Sequence, residues 1–261
     1  MSGQRIITLG ISPCPNDVFI FGGILLGKVE TNGLVFEAIF EDVETLNCKA
    51  ETGAADVLKI SYAAYPFCST VYQLLSAGGA LGRGVGPLLL SGDGKWDVAR
   101  ETLVPGEHTT ANFLLDFYAR QRLSKRFLPF DTLYEKLCTD RNSQGVVIHE
   151  KRFTYQLDGL HLIADLGTCW EERTGFPIPL GAIVMKRSLG LEEEMNSIIR
   201  SSVSYAYAHY DEVFSLCREH SQELSDSVIA SHIDLYVNNY SVDLGEDGRE
   251  AVKFFLERAA K

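Results

Sequence analysis

Arg5-Ile-Ile-Thr-Leu-Gly10, then Ser12-Pro-Cys-Pro-Asn-Asp17, then Val18-Phe-Ile-Phe21: these residues set the pattern that the rest of the chain repeats. The first run is short, apolar and β-branched, and Gly10 closes it, which predicts a buried strand. The two prolines with Asn16 or Asp17 read as a stop-and-cap signal. The spacing of Phe19, Ile20, Gly23 and Leu26 then predicts a helix.

Outward from this unit the alternation continues. Leu34 to Phe40 reads as a strand, Val43 to Ala50 as a helix, and Asp56 to Ile60 as a third strand. Ser61 is expected to cap a helix running to about Leu75. Five glycines lie between Ser76 and Pro87, before an apolar strand at Leu88 to Leu90. The polar, turn-rich Ser91 to Lys95 is a candidate crossing between lobes. Strands follow at Thr102 to Val104, Phe127 to Phe130, Gly145 to Ile148, His161 to Leu166 and Leu180 to Met185. Helices are predicted from Thr109 or Thr110 and over Thr132 to Cys138, and from Glu192 onward the signal is entirely helical. The alternation implies an α/β fold with mostly parallel sheets. Breaks near residues 91–100 and 177–181 suggest one lobe inserted within another, residues 1–92 and 181–261 against 93–180. A single doubly wound sheet fits the same pattern.

Composition narrows the function. The 261 residues are 46% hydrophobic and 23% charged, ordinary for a globular chain with a sizeable core. A formal charge of −11 and a pI near 5.0 exclude a nucleic-acid footprint and argue against an anionic membrane surface. An anionic small molecule stays admissible, because local donors outweigh a global field at short range. The opening residues lack the apolar length and cleavage site of a secretory peptide, and no apolar run spans a bilayer, so a cytoplasmic protein is expected. Cys14, Cys48, Cys68, Cys138, Cys169 and Cys217 have no C-x-x-C spacing and are expected to be reduced.

Three junctions place a polar cap at a strand's carboxyl end and a helix start: Ser12 to Asp17, Lys59 to Ser61, and His108 to Thr110. Helix amino termini hold carboxylates well, and ligands of open α/β sheets sit at such ends, although most junctions only cap helices. Lys59 lies in Val57-Leu-Lys-Ile60, a buried setting in which an ammonium needs a partner. Glu41 or Asp42 would be the structural partner and an anionic substrate the functional one. His149 ends Gly145-Val-Val-Ile148 and precedes Glu150, suited either to a general base or to a core hydrogen bond. The remaining histidines show no metal spacing. The glycines at 78–86 precede a strand rather than a helix, so they form no phosphate loop.

Several segments taken in order are distinctive. They are Ser12-Pro-Cys-Pro-Asn-Asp-Val-Phe-Ile-Phe21, Glu41-Asp-Val-Glu-Thr-Leu-Asn47, Lys59-Ile-Ser-Tyr-Ala-Ala-Tyr65 and Gly78-Gly-Ala-Leu-Gly-Arg-Gly-Val-Gly-Pro87. Further on come Pro105-Gly-Glu-His-Thr-Thr-Ala111, Ile148-His-Glu150 with Arg152-Phe-Thr-Tyr155, and Trp170-Glu-Glu-Arg-Thr-Gly175 with Pro179-Leu-Gly-Ala182. Over nearly its whole length the chain resembles the 1,4-dihydroxy-6-naphthoate synthases. The resemblance implies a two-lobed, periplasmic-binding-protein-like (type II) α/β fold with a central cleft that closes on its ligand. It also implies cofactor-independent conversion of cyclic dehypoxanthinyl futalosine to 1,4-dihydroxy-6-naphthoate. By the same resemblance His149 matches the proton acceptor, Lys59, Ile60 and Ser61 match one substrate-binding segment, and Thr110 and Ala111 match the other. Asn47 is expected to face the same cleft. Cys169 departs from the pattern, an aromatic being expected before Trp170. Two alternatives stand beside this reading: an enzyme resembling chorismate dehydratase, and a non-catalytic module that binds a small carboxylate.

Overall fold

The computed structural model describes residues 5–221 and 225–259. In chain order the strands are β1 (Arg5–Ile11), β2 (Leu34–Phe40), β3 (Val57–Ser61), β4 (Tyr72–Leu74), β5 (Ala80–Gly82), β6 (Leu88–Ser91), β7 (Thr102–Val104), β8 (Lys125–Phe127), β9 (Gln144–Val147), β10 (His161–Asp165) and β11 (Ile178–Lys186). The helices are α1 (Pro15–Leu25), α2 (Val43–Thr52), α3 (Tyr65–Cys68), α4 (Thr110–Ala119), α5 (Phe130–Thr139), α6 (Lys151–Thr154), α7 (Leu166–Thr174), α8 (Glu192–Ala208), α9 (Tyr210–His220), α10 (Asp226–Tyr236), α11 (Asn239–Val242) and α12 (Gly245–Ala259).

The chain divides into two compact units, Met1–Leu81 with Pro179–Lys261, and Gly82–Ile178. In the first, the sheet order is β2-β1-β3-β11-β4, with β5 also paired to β11. Alternation in β1 buries Ile7, Leu9 and Ile11 and leaves Ile6 exposed. Helix α1 is apolar all round because it is covered on every side. Its Val18, Phe19, Ile20 and Phe21 share one core with Ile198, Ile199 and Val203 of α8 and Val213 and Cys217 of α9. Each such fully buried side chain contributes roughly 1.5–3 kcal/mol. In the second unit the order is β10-β6-β9-β7-β8, over a core of Leu88, Leu90, Leu103, Leu133, Leu137 and Val147.

Three expectations change. The sheets are mixed rather than mostly parallel: β11 runs antiparallel to β3 and β4, and β6 antiparallel to β9 and β10. The helix expected from Ser61 to Leu75 is only a 3-10 turn at Tyr62–Ala64 and the short α3. Val71 and Tyr72 favour extended backbone, and β4 gains a full ladder against β11. The first boundary falls after Leu81 instead of near residue 92, because Leu88–Ser91 pairs on both sides with strands of the second sheet. Ser91 to Lys95 therefore lies inside the second unit and joins β6 to β7. The second boundary falls at Pro179.

None of the six cysteines, all of them among the described residues, is joined in a disulfide. Burial pushes the Cys217 thiol up to about 12 and Cys68 up to about 11, which makes both poor nucleophiles. Among the described residues no helix is long and apolar enough to cross a membrane.

Candidate active site

In the first unit β1 runs parallel to both β2 and β3, so the carboxyl ends of all three lie along one edge of the sheet. That edge carries Ser12 to Asp17 after β1, Asn47 on α2 after β2, and Lys59 to Ser61 at the end of β3. It is where ligands of open α/β sheets gather.

Asp17 organises the edge. The expected side-chain cap on α1 is absent: Cys14 is the N-cap residue and makes no side-chain cap bond, and Pro15 opens the helix. The Asp17 carboxylate turns instead to the loop and to β3. Its Oδ2 accepts from the Ser12 N–H at 3.3 Å and the Ser12 hydroxyl at 2.7 Å. Its Oδ1 accepts from Asn16 Nδ2 at 2.8 Å and from the Lys59 ammonium at 2.6 Å. Lys59 also donates to the Gly78 carbonyl at 3.4 Å. Asp17 and Lys59 are 2% and 4% exposed, so both charges are withdrawn from water. Neither acid first considered for Lys59 is its partner. Glu41 pairs with Lys49, and Asp42 caps α2 by accepting from the Glu44 and Thr45 N–H groups. Space for the ammonium depends on Gly181, where a Cβ would lie 2.5 Å from Lys59 Cε.

Ser61 is fixed separately. Its N–H donates to Asn47 Oδ1 at 2.8 Å, and Asn47 Nδ2 donates to the Ser61 hydroxyl at 3.3 Å and to Glu44 at 2.9 Å. Ile60 between them is fully buried. Burial drives the neighbouring Tyr62 phenol far above its ordinary range, so it stays protonated.

In the second unit β7 and β9 are parallel neighbours. Their carboxyl ends lead to Thr110 and Ala111 on one side and to His149 on the other. Thr109 caps α4 by accepting the Asn112 N–H at 3.1 Å, and its hydroxyl donates to Gly106 O at 2.8 Å. Ala111, in the first turn, has an N–H that no carbonyl of the helix accepts. Thr110 and Ala111 are both buried.

His149 occupies the turn between β9 and α6 with φ 59°. Left-handed backbone is costly for a non-glycine residue and collects at functional sites. The imidazole is half-buried and meets the Phe130 ring edge-on, centroids 5.2 Å apart. Arg152, one turn on, donates from Nη1 to the Gly86 carbonyl at 2.6 Å, and its Nη2 lies 3.4 Å from Asp165 Oδ2. Gly86 and Gly167 are in backbone contact, since a Cβ on Gly86 would lie 2.3 Å from Gly167 Cα. The turn carrying His149 is thus tied to the start of α7. Near Cys169, Trp170 is fully buried, donates from its indole nitrogen to Pro177 O at 3.3 Å, and packs on Phe117.

The class defined by this arrangement is the type II periplasmic-binding-protein fold. The alkanesulfonate-binding protein SsuA of Xanthomonas axonopodis pv. citri superposes with a TM-score of 0.69 at 10% identity, covering 100% of this chain and 96% of that one. Likeness at that identity is of fold alone. An Archaeoglobus fulgidus protein superposes with a TM-score of 0.91 at 31% identity, covering 97% and 96% of the two chains.

Residues 7–261 match the family described as menaquinone biosynthesis, and the chain belongs to that family. Two curated relatives are named 1,4-dihydroxy-6-naphtoate synthase. The one from Thermus thermophilus is 45% identical, over 99% of this chain and 96% of its own; the one from Streptomyces coelicolor is 40% identical, over 97% and 93%.

Reasoning from sequence missed Asp17 as the partner of Lys59, Gly181 as the space beside it, and Arg152 as the clamp on the His149 turn. The signal for the first was present, since Asp17 is the only acid within Ser12 to Phe21. No signal links Gly181 to Lys59, which lie on different strands far apart in the chain.

Proposed function

We propose that this chain is a 1,4-dihydroxy-6-naphthoate synthase, acting in the cytoplasm on cyclic dehypoxanthinyl futalosine with His149 as the base. The observation that carries the residue assignment is the φ of 59° at a half-buried histidine ending a strand. Such backbone costs about 1–3 kcal/mol and clusters at functional sites, and unlike Arg120, whose positive φ ends helix α4, His149 stands in the turn that follows a strand. Family membership over residues 7–261 supports the reaction.

In this reading His149 removes a proton, the carbon–carbon bond to the sugar-derived portion breaks, and aromatisation drives the sequence forward. Imidazole is the commonest general base among side chains and suits the first step. Lys59, Ile60 and Ser61, and Thr110 and Ala111, are the substrate-binding segments in this reading, with main-chain N–H groups well suited to a carboxylate or hydroxyls. The chemistry needs no metal and no organic cofactor.

Incubating the purified protein with cyclic dehypoxanthinyl futalosine and following the naphthoate chromatographically tests the reading. Turnover of chorismate instead makes it a dehydratase, and binding of the naphthoate without turnover of either makes it a binding module.

A further inference from the structure

We propose that the buried Asp17–Lys59 pair is a positioning device, holding the Ser12–Asp17 turn against the end of β3 so that Ser61 is presented in one place. The proposal rests on the reading that these strand ends face substrate. Asp17 and Lys59 are then positioning residues, and substrate meets main chain and Ser61 around them.

The argument begins with cost. Two charges out of water must recover their hydration, and replacing such a pair by neutral groups of similar volume is often neutral or stabilising. Stability is therefore a weak reason for its presence. The carboxylate is nevertheless fully engaged, with two donors on each oxygen: Ser12 N–H and hydroxyl on one, Asn16 and Lys59 on the other. Those bonds connect three pieces of chain. Asp17 draws Ser12 back onto the first turn of α1, and Ser12 Oγ in turn receives the Cys14 N–H at 3.3 Å. Lys59 joins that turn to β3 and reaches the Gly78 carbonyl. In β3 the residue two positions on is Ser61, held from its other side by Asn47.

Gly181 strengthens the case. It lies opposite Ser61 in β11, and its missing Cβ is the space that Lys59 Cε fills. Gly181 is absent from the positive-φ glycines, so its backbone tolerates a side chain and the constraint is Lys59 itself. A strand interior favours a β-branched residue over glycine, yet this position keeps a hole for the ammonium.

The test compares wild type, the double variant Asp17→Asn with Lys59→Met, and Gly181→Ala, which keeps both charges but displaces the ammonium. Turnover, thermal unfolding and peptide-resolved amide exchange over residues 11–17 and 58–63 are measured on each. A positioning role predicts a double variant that melts near wild type, loses about ten- to a hundredfold in turnover, mainly in kcat, and exchanges faster in those two segments. Gly181→Ala is expected to lose turnover in the same direction. A stable double variant within twofold of wild-type turnover overturns the proposal, as does amide exchange unchanged in both segments. If the double variant does not fold, Gly181→Ala decides: full turnover there overturns the idea, and reduced turnover with normal folding supports it. Absence of turnover in wild type refutes the assigned reaction alone, and the exchange comparison then judges the pair by itself.

Discussion

The ends of β3 and β9 solve different problems. At β3 every polar group is answered: Lys59 by Asp17, Ser61 by Asn47, Asp17 by four donors, all buried. At β9 the chain leaves the sheet through a histidine in left-handed backbone, half-exposed, with an aromatic edge beside its ring and an arginine clamp one turn away. A saturated network resists displacement, because each member is fixed by the next. A strained turn stores energy and holds a group where relaxed backbone would not place it. In the proposed reaction the first region holds and the second reacts.

The sharpest way to break this contrast is His149→Gln. Turnover is expected to fall about 10²- to 10⁴-fold, with the melting temperature unchanged and the naphthoate still bound in a calorimetric titration. A loss below about tenfold removes His149 from the base role. Gly86→Ala comes next, since the added Cβ drives into the Gly167 backbone. Overpacking costs about 1–3 kcal/mol, read by urea denaturation; an unchanged midpoint would show that the two segments separate freely. Arg152→Lys keeps the charge but loses the fork that reaches both Gly86 and Asp165. A drop of about tenfold in kcat is expected if a loosened turn misplaces the imidazole, and an unaltered kcat would free His149 from its clamp.

Strain gives a smaller, cleaner test. His149→Gly should be more stable than His149→Ala by about 1 kcal/mol, because glycine adopts positive φ without a steric penalty. Equal stabilities would mean that the turn relaxes once the imidazole is gone. The smallest effect belongs to Asp93, whose carboxyl is held down at about 2 by the Arg100 hydrogen bond and the Lys95 N–H, against an ordinary 3.8. A depressed folded-state value contributes stability above pH 3.8 that is lost as pH falls through about 2. Wild type and Asp93→Asn should therefore differ slightly in melting temperature near neutrality and converge in acid.

How much of this was written in the sequence follows from the range of the forces. Strand-to-helix junctions are local, so Ser12 to Asp17, Lys59 to Ser61, His108 to Thr110 and His149 could all be picked out as segments that follow or end strands. Direction is not local: β6 and β11 look like any buried apolar strand, and only pairing shows that both run antiparallel to central neighbours. That is why the sheets were expected to be mostly parallel and the first boundary was set beyond β6. Partners across strands were hidden too. Lys59 announced that it needed an acid, but Glu41, Asp42 and Asp17 are chemically equivalent candidates until the register of β1 on β3 is known. The helix expected after Ser61 failed because tertiary pairing of Tyr72–Leu74 outweighs helix propensity over a stretch that begins with aromatic and small residues.

The position of β11 also carries a consequence for the chain as it is made. β11 sits between β3 and β4, and its Gly181 packs on Lys59. On the ribosome, residues 82–177 emerge before any of β11 is available. At about 5–20 residues per second, β3 waits on the order of ten seconds with one hydrogen-bonding edge open and its ammonium uncovered. The second unit therefore has nearly the whole of its own sequence to fold on while the first is still missing its central strand. An apolar edge exposed for that long is a place where a nascent chain meets a chaperone or a neighbour. The lysine at its middle is a charge of the kind that discourages the wrong strand from pairing there before the right one arrives.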